Sequence, residues 1–224
     1  MRPLPDLEPM RHSARGSDSL IATLKACAAR ARAAPLSFGE VFESVGEAAY
    51  SFIAIVLTLP FIQPISLGPL STIGGLTFAA LGWQLYRGHH APLLPERVKR
   101  TVPGPKTWDT LISACLKILG WCRKISRPRY QSWVSGRKGQ KVAGMTLITA
   151  GLLMAIPFFG IPFNNTLPAL AIFFICVGEL EQDGMMVFIA FGWLIVTVIY
   201  FVFILVLLWI LGEQALSYFQ LRGL

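Results

Sequence analysis

The chain has 224 residues, 54% of them hydrophobic and 14% charged, with a formal net charge of +8. An ordinary soluble domain carries about 25% charged residues, so this composition excludes intrinsic disorder and argues against a soluble enzyme. A basic chain raises the question of nucleic acid, but the apolar excess makes a membrane the first candidate partner, and no nucleic-acid partner is expected.

In chain order, residues 1–35 are rich in Pro, Ser, Ala and Arg and read as a mobile tail running into a short Ala-rich helix, Leu20 to Ala33. No uninterrupted apolar core follows the first basic residues, so no cleavable signal peptide is expected. Residues 36–47, LSFGEVFESVGE, set Phe38, Val41, Phe42 and Val45 on one helical stripe with Glu40, Glu43 and Glu47 beside it. That spacing predicts an amphipathic lead-in helix.

Three long windows then lack any Asp, Glu, Lys or Arg: Ala48–Tyr86 (39 residues), Val142–Gly178 (37) and Met185–Leu211 (27). A helix needs about 20 apolar residues to cross a ~30 Å hydrocarbon core. The third window, 185–211, therefore reads as one tilted transmembrane helix, followed by a C-terminal tail, 212–224. The first two windows have prolines near their middles: Pro60, Pro64 and Pro69 in LTLPFIQPISLGPLST (57–72), and Pro157, Pro162 and Pro168 in AIPFFGIPFNNTLPAL (155–170). Proline removes a backbone donor and clashes with the preceding turn, so neither window is one continuous helix. Irregular backbone at membrane depth survives only when buried in protein or lining a watery cavity. Each window thus reads as a helical hairpin, re-entrant or barely spanning: hairpin 1 over 48–86 and hairpin 2 over 142–181. Pro60-Phe61 aligns with Pro157-Phe158 at an offset of 97, and Gly82 and Gly88 with Gly178 and Gly184 at 96. Paired proline-interrupted segments of this kind point to an internal repeat with a site at its interface.

Between the hairpins, the basic loop 87–141 holds thirteen basic residues against Glu96 and Asp109. Within it, 106–125 carries Trp108, Leu111, Ile112, Cys115, Leu116, Leu119 and Cys122 at helical spacing, with Lys117, Arg123 and Lys124 off the stripe. This is the pattern of an interfacial amphipathic connector. Positive residues stay on the cytoplasmic side, which puts the N-terminus and this loop inside, against anionic lipid headgroups, with both hairpins entering from that face. The four cysteines show no metal-type spacing and read as small apolar residues.

No HExxH, GxSxG or glycine-rich phosphate loop is present, so no enzyme activity, cofactor or metal is expected. Polar residues at membrane depth are the better lead, because they are costly there unless paired or hydrated. The candidate substrate-binding residues are Gln63, Ser71 and Thr72 from one elbow and Asn164, Asn165 and Thr166 from the other, with Ser66 nearby. Two readings stand for the asparagines: they bind a headgroup, sugar or ion, or they satisfy backbone groups that the prolines free. Likewise Glu179 and Glu181 are coupling carboxylates or are solvated at the interface.

Leu36-Ser37-Phe38-Gly39-Glu40, Gly46-Glu47, LTLPFIQP, Ser71-Thr72, Gln84-Leu85 with Gly88, and Pro92…Pro95 form an ordered series. Pro157, Asn165, Pro168, Gly178 and Gln182-Asp183-Gly184 continue it. From Leu36 to Leu211 this series resembles the ExoD family of exopolysaccharide-synthesis membrane proteins. One departure is Pro92-Leu93-Leu94-Pro95, where the family more often shows a Trp before the Leu-Pro. The resemblance implies a bacterial inner-membrane protein linked to exopolysaccharide production, and it carries over no catalytic residues.

The expected fold is an all-α polytopic membrane protein: two Pro-broken hairpins forming an internal repeat, an amphipathic connector and a long C-terminal transmembrane helix. The expected role is in export or translocation, with a lipid headgroup, saccharide or ion at the paired elbows and a lipid-linked saccharide or polysaccharide-synthesis proteins as partners. The alternative is a non-catalytic scaffold or regulator that docks polysaccharide-synthesis proteins through its basic loop.

Overall fold

The computed structural model describes residues 16–33, 35–64, 67–89, 91–93, 100, 102, 104–158 and 160–221. The first fifteen residues of the expected tail, and Ser66, lie outside the described residues. Within them the chain is helical, and no strand is formed.

Helix α1, Gly16–Ala33, begins four residues before the expected Leu20. Leu20, Leu24 and Cys27 recur at helical spacing and are buried. Their partner is α5, Pro105–Ile125, whose stripe residues Trp108, Ile112, Leu119 and Cys122 are also buried. The stripe read from the sequence as facing a bilayer is therefore covered by α1. The pattern predicts an apolar face correctly, but periodicity does not say whether protein or lipid covers it. Trp108 fixes the pairing by donating its indole N–H to the Leu36 carbonyl at 3.2 Å.

Helix α2, Phe38–Val45, opens on a capping box: the Glu40 N–H donates to Ser37 Oγ (3.3 Å) and the Ser37 N–H to Glu40 Oε2 (2.9 Å). Two orphan donors of the first turn are thereby satisfied. It stops at Gly46, whose φ of 65° suits glycine. The chain then turns by 118° into α3, Ala48–Thr58.

Helix α4, Pro69–Arg87, carries Pro69 in its first turn, where the missing N–H is harmless. Helix α6, Gly136–Ala155, lies antiparallel against it in the most extensive helix pairing among the described residues. Gly75 meets Gly151 and Gly82 meets Gly144; each pair of glycines is seven residues apart on its own helix. Without side chains the two backbones come into direct contact, the arrangement by which helices associate in lipid. Helix α7, Thr166–Glu181, packs in turn on α3. The arms of the first window thus pack on those of the second more than on each other, α3 on α7 and α4 on α6, while α7 also touches α6 and α8. In consequence the described elbow segments 59–64 and 160–165 lie at one end of the bundle.

Helix α8, Gly184–Leu221, packs on α7 and continues ten residues beyond the expected end at Leu211. Residues 213–221 contain good helix formers and no proline to stop it. Among the described residues it is the one helix long and apolar enough by itself to cross a membrane, over Gly184–Glu213; α2 and α3 pass only if counted as one bent span. The hydroxyl of Tyr200 donates to the Pro162 carbonyl at 2.5 Å, which sets the second elbow level with residue 200. From Gly184 that is about 24 Å along α8, and the apolar residues on to Leu211 reach roughly 16 Å further. From Val202 to Leu211, all but Ile204 are exposed large hydrophobics.

Candidate functional site

The first elbow grows out of the end of α3. Thr58 Oγ1 donates back to the carbonyls of Ala54 (2.9 Å) and Ile55 (2.7 Å), and Pro60 enters a single 3-10 turn, Leu59–Phe61. Phe61 is buried against Gly74 and Phe78 of α4, the rings edge to face at 6.0 Å. Gly68, at φ 56°, turns the chain into α4, and Ser71 Oγ donates to its carbonyl at 2.5 Å. Ser71 is thus buried and committed to its own turn, while Thr72 is half-buried beside it.

The second elbow is held from within. Asn164 Nδ2 donates to the Phe158 carbonyl at 2.9 Å, and Phe163 takes a left-handed φ of 61° with its ring 48% exposed. The two elbows then meet: Thr166 Oγ1 donates to the Gln63 carbonyl at 2.9 Å. Gln63 contributes its backbone there, and its side chain is exposed. Beside this contact Asn165 occupies the N-cap position of α7 without capping it. Its side chain is 1% exposed, and neither Oδ1 nor Nδ2 has a hydrogen-bond partner. An unsatisfied buried amide costs on the order of 1–3 kcal/mol, so a free asparagine here is a costly residue that the fold does not use. Asn164 splits between the two readings given above, since its amide nitrogen serves the elbow backbone while its Oδ1 is unpartnered.

The structure brings Gln63, Asn164, Asn165 and Thr166 together. Glu179 and Glu181 are elsewhere, with Glu179 about 21 Å from Asn165 along α7. Glu179 accepts a hydrogen bond from Ser51 Oγ and, with Glu47, Gln140 and Gln182, lines a cavity of about 200 Å³ at the opposite end of the bundle. Glu181 is fully buried, which is no solvated interfacial position. Burial pushes the nearby Cys122 thiol up to about 12, and the Glu181 charge adds to the shift. Among the described residues no cluster of three or more His, Cys, Asp or Glu has the geometry to hold a metal ion.

The sequence pattern gives no hint of a clasp between the basic loop and the α7–α8 joint. Asp183, fully buried, accepts from Ser126 Oγ (3.1 Å), the Arg127 N–H (3.0 Å) and the Met185 N–H (3.0 Å). The Gly184 N–H donates to the Arg129 carbonyl at 2.6 Å, and Ser135 Oγ donates to Gln182 Oε1 at 3.0 Å. Any side chain at Gly184 would collide with the Tyr130 backbone.

Comparison with known proteins decides the kinship. The profile of the family described as "Exopolysaccharide synthesis, ExoD" matches residues 20–203. The chain belongs to the ExoD family. It is 29% identical over 184 residues to Protein ExoD of Rhizobium meliloti (strain 1021), covering 82% of this chain and 76% of that protein. It is 30% identical over 179 residues to the uncharacterized protein slr1875 of Synechocystis sp. (strain ATCC 27184 / PCC 6803 / Kazusa), covering 77% and 82%. No solved structure matches. ExoD membership connects the chain to exopolysaccharide synthesis, and with the spanning-length α8 it points to membrane association. The stretches that mark this ExoD chain sit largely at joints: Ser37 and Glu40 cap α2, Gly46 breaks it, and the LTLP run makes the first elbow. Gln84 takes the Leu93 N–H at 2.7 Å where α4 ends on Gly88, and Gln182-Asp183-Gly184 forms the clasp.

Proposed function

We propose that this ExoD-family chain is a multi-pass inner-membrane protein with a non-enzymatic role in an export or translocation step of exopolysaccharide synthesis. In this reading α3–α4 and α6–α7 are re-entrant hairpins that form an internal repeat, both entering from the cytoplasmic face that also carries the N-terminus and the basic loop. Their joined elbows bind the polar part of a lipid-linked saccharide. The observation that carries the proposal is the elbow contact, Thr166 to Gln63, with the amide of Asn165 buried beside it and unpartnered. A polar group left free inside an apolar bundle is a group available to a ligand. Two further features support the reading. The exchange of arms, α3 on α7 and α4 on α6, is the pairing that a two-fold repeat would produce. The elbow at the level of Tyr200 falls inside the apolar length of α8 rather than past it.

The test is complementation of an exopolysaccharide-deficient strain lacking the native gene. Replacing Asn164 and Asn165 with Leu is expected to abolish polysaccharide production while the protein inserts in membranes at normal levels. Full production by that variant would reject the elbow site. A second reading, a scaffold that docks synthesis proteins, is favoured by the clasp, which holds Arg127 and Arg129 exposed on a fixed backbone. Neutralising those two arginines would then harm production more than the elbow substitutions do.

A further inference from the structure

We propose that the groove running along α6, beside the 131–133 turn at one end and beside α8 at the other, is a binding site for one anionic phospholipid, its phosphate held by Lys138 and Lys141 and one acyl chain laid along the floor. The proposal rests on the membrane reading above and adds a second, distinct site to it. Two cavities adjoin there. The upper one, of about 510 Å³, is lined by Ser132, Trp133, Lys138, Lys141 and Val142. The lower one, of about 260 Å³, starts at the same Lys141 and Val142, runs past Met145, Thr146 and Thr149, and has Phe191 and Leu194 across it. Polarity therefore changes along a single groove, from cationic at the end away from the elbows to apolar toward the bundle's middle.

Four features match this gradient to a lipid. The lining holds no carboxylate, and among the described residues neither lysine is paired with one. Both positive charges are therefore available to an anion. From Lys138 to Thr149 the helix rises about 16 Å, close to half of a ~30 Å hydrocarbon core. The two chambers together are thus as long as one leaflet is deep. Thr146 turns its hydroxyl back on the Val142 carbonyl at 2.9 Å, so it offers the floor no free donor. Aromatic groups mark the level of the lysines. Lys141 Nζ stands 5.9 Å over the Tyr86 ring, and half-exposed Trp133 packs its ring against Phe188 of α8 at 5.5 Å. Tyr and Trp at such a level are the usual residents of the membrane–water interface. A soluble anion would use only the upper chamber, whereas a phospholipid uses both.

The full-length protein, purified in mild detergent, is offered phosphatidylglycerol and phosphatidylcholine in equal amounts, and retained lipid is counted by native mass spectrometry. Wild type is expected to hold one phosphatidylglycerol in preference. Each lysine contributes about fivefold to such binding, so K138S/K141S should weaken it roughly 25-fold, while K138R/K141R keeps it. M145W, which fills the floor and leaves both lysines, should also weaken it. A thermal melt of each variant confirms that it is folded. Equal retention of the two lipids by wild type would overturn the proposal. So would displacement of the lipid by millimolar inorganic phosphate, or an equal loss in R127S/R137S, whose charges lie outside the groove. Alkaline extraction of membranes containing the same proteins separates the two readings. A chain that stays embedded yet shows no lipid preference loses only this site, and a chain that is extracted loses the membrane reading and the site together.

Discussion

Gly75 and Gly151 touch backbone to backbone: a Cβ on Gly75 would come within 2.5 Å of the Gly151 carbonyl oxygen, and one on Gly151 within 2.6 Å of the Gly75 carbonyl oxygen. Gly82 and Gly144 repeat the relationship one heptad away. No side chain is available to rotate aside, so an added methyl must push the helices apart. Overpacking of this kind costs about 1–3 kcal/mol or more. Gly151→Ala is expected to lower the melting temperature in detergent by several degrees, and Gly151→Leu to abolish folding. Gly120, exposed on α5 with open space around it, is the control. Gly120→Ala should raise stability by up to about 1 kcal/mol.

That glycine ladder also shows how far the sequence could be read. The uncharged windows, the proline elbows and the amphipathic stripe of 106–125 follow from charge and periodicity: helices formed over the arms of the windows and over the stripe, and broke at the elbows. Partner choice did not follow. Gly75, Gly82, Gly144 and Gly151 are spaced by seven on two separate segments, but nothing in one chain says that these segments face each other rather than their own hairpin mates. The same holds for the α5 stripe, which met α1. At the elbows, Asn164 and Asn165 are both polar residues in an apolar run, and only the fold distinguishes the one that serves its backbone from the one that does not. Ser71 appeared equally promising and proved to be a turn residue. Asp183 was hidden because an acid between two apolar helices looks like a solvated link until Ser126 and Arg127 arrive from 56 residues or more away.

Asp183 should be costly to remove. Substituting it with Ala leaves the Ser126 hydroxyl and the Arg127 and Met185 N–H groups without their acceptor. Hydrogen bonds to a charged group contribute about 1.5–3 kcal/mol each, and breaking a buried charged network costs on the order of 3–5 kcal/mol. The expected result is a protein in which the 126–135 segment leaves the bundle before global unfolding. Limited trypsin digestion measures this directly, because cleavage after Arg129 should accelerate in Asp183→Ala, and less so in Asp183→Asn. Unchanged cleavage would mean that the clasp contributes little.

Thr166 and Asn165 are neighbours with opposite expectations. Thr166→Val deletes the donor to the Gln63 carbonyl and leaves that acceptor unmet, so a loss of about 1 kcal/mol or more is expected. Asn165→Leu removes an amide that makes no hydrogen bond, and stability should hold or rise. Paired thermal melts with polysaccharide assays separate the roles. The elbow proposal expects Asn165→Leu to be stable and inactive. A variant that is both less stable and fully active would show Asn165 to be part of the scaffold.

The α2 capping box makes the stability of that helix sensitive to acid. The Ser37 N–H and then its hydroxyl hydrogen-bond the Glu40 carboxylate and hold its pKa below the usual range. A lowered folded-state pKa means the contribution is fully present above the ordinary glutamate pKa and is lost as pH falls through the lower, folded value. Glu40→Gln keeps the Ser37 hydroxyl as cap acceptor and removes the titrating carboxylate, and with it this dependence. Hydrogen exchange at the Val41 amide, which donates to the Ser37 carbonyl at 3.3 Å, reports on the first turn alone. Protection in the wild type should hold from neutral pH down to the ordinary glutamate range and fall below it, after correction for intrinsic exchange. In Glu40→Gln it should stay flat across the same interval. A parallel decline in both proteins would assign the acid sensitivity to another group.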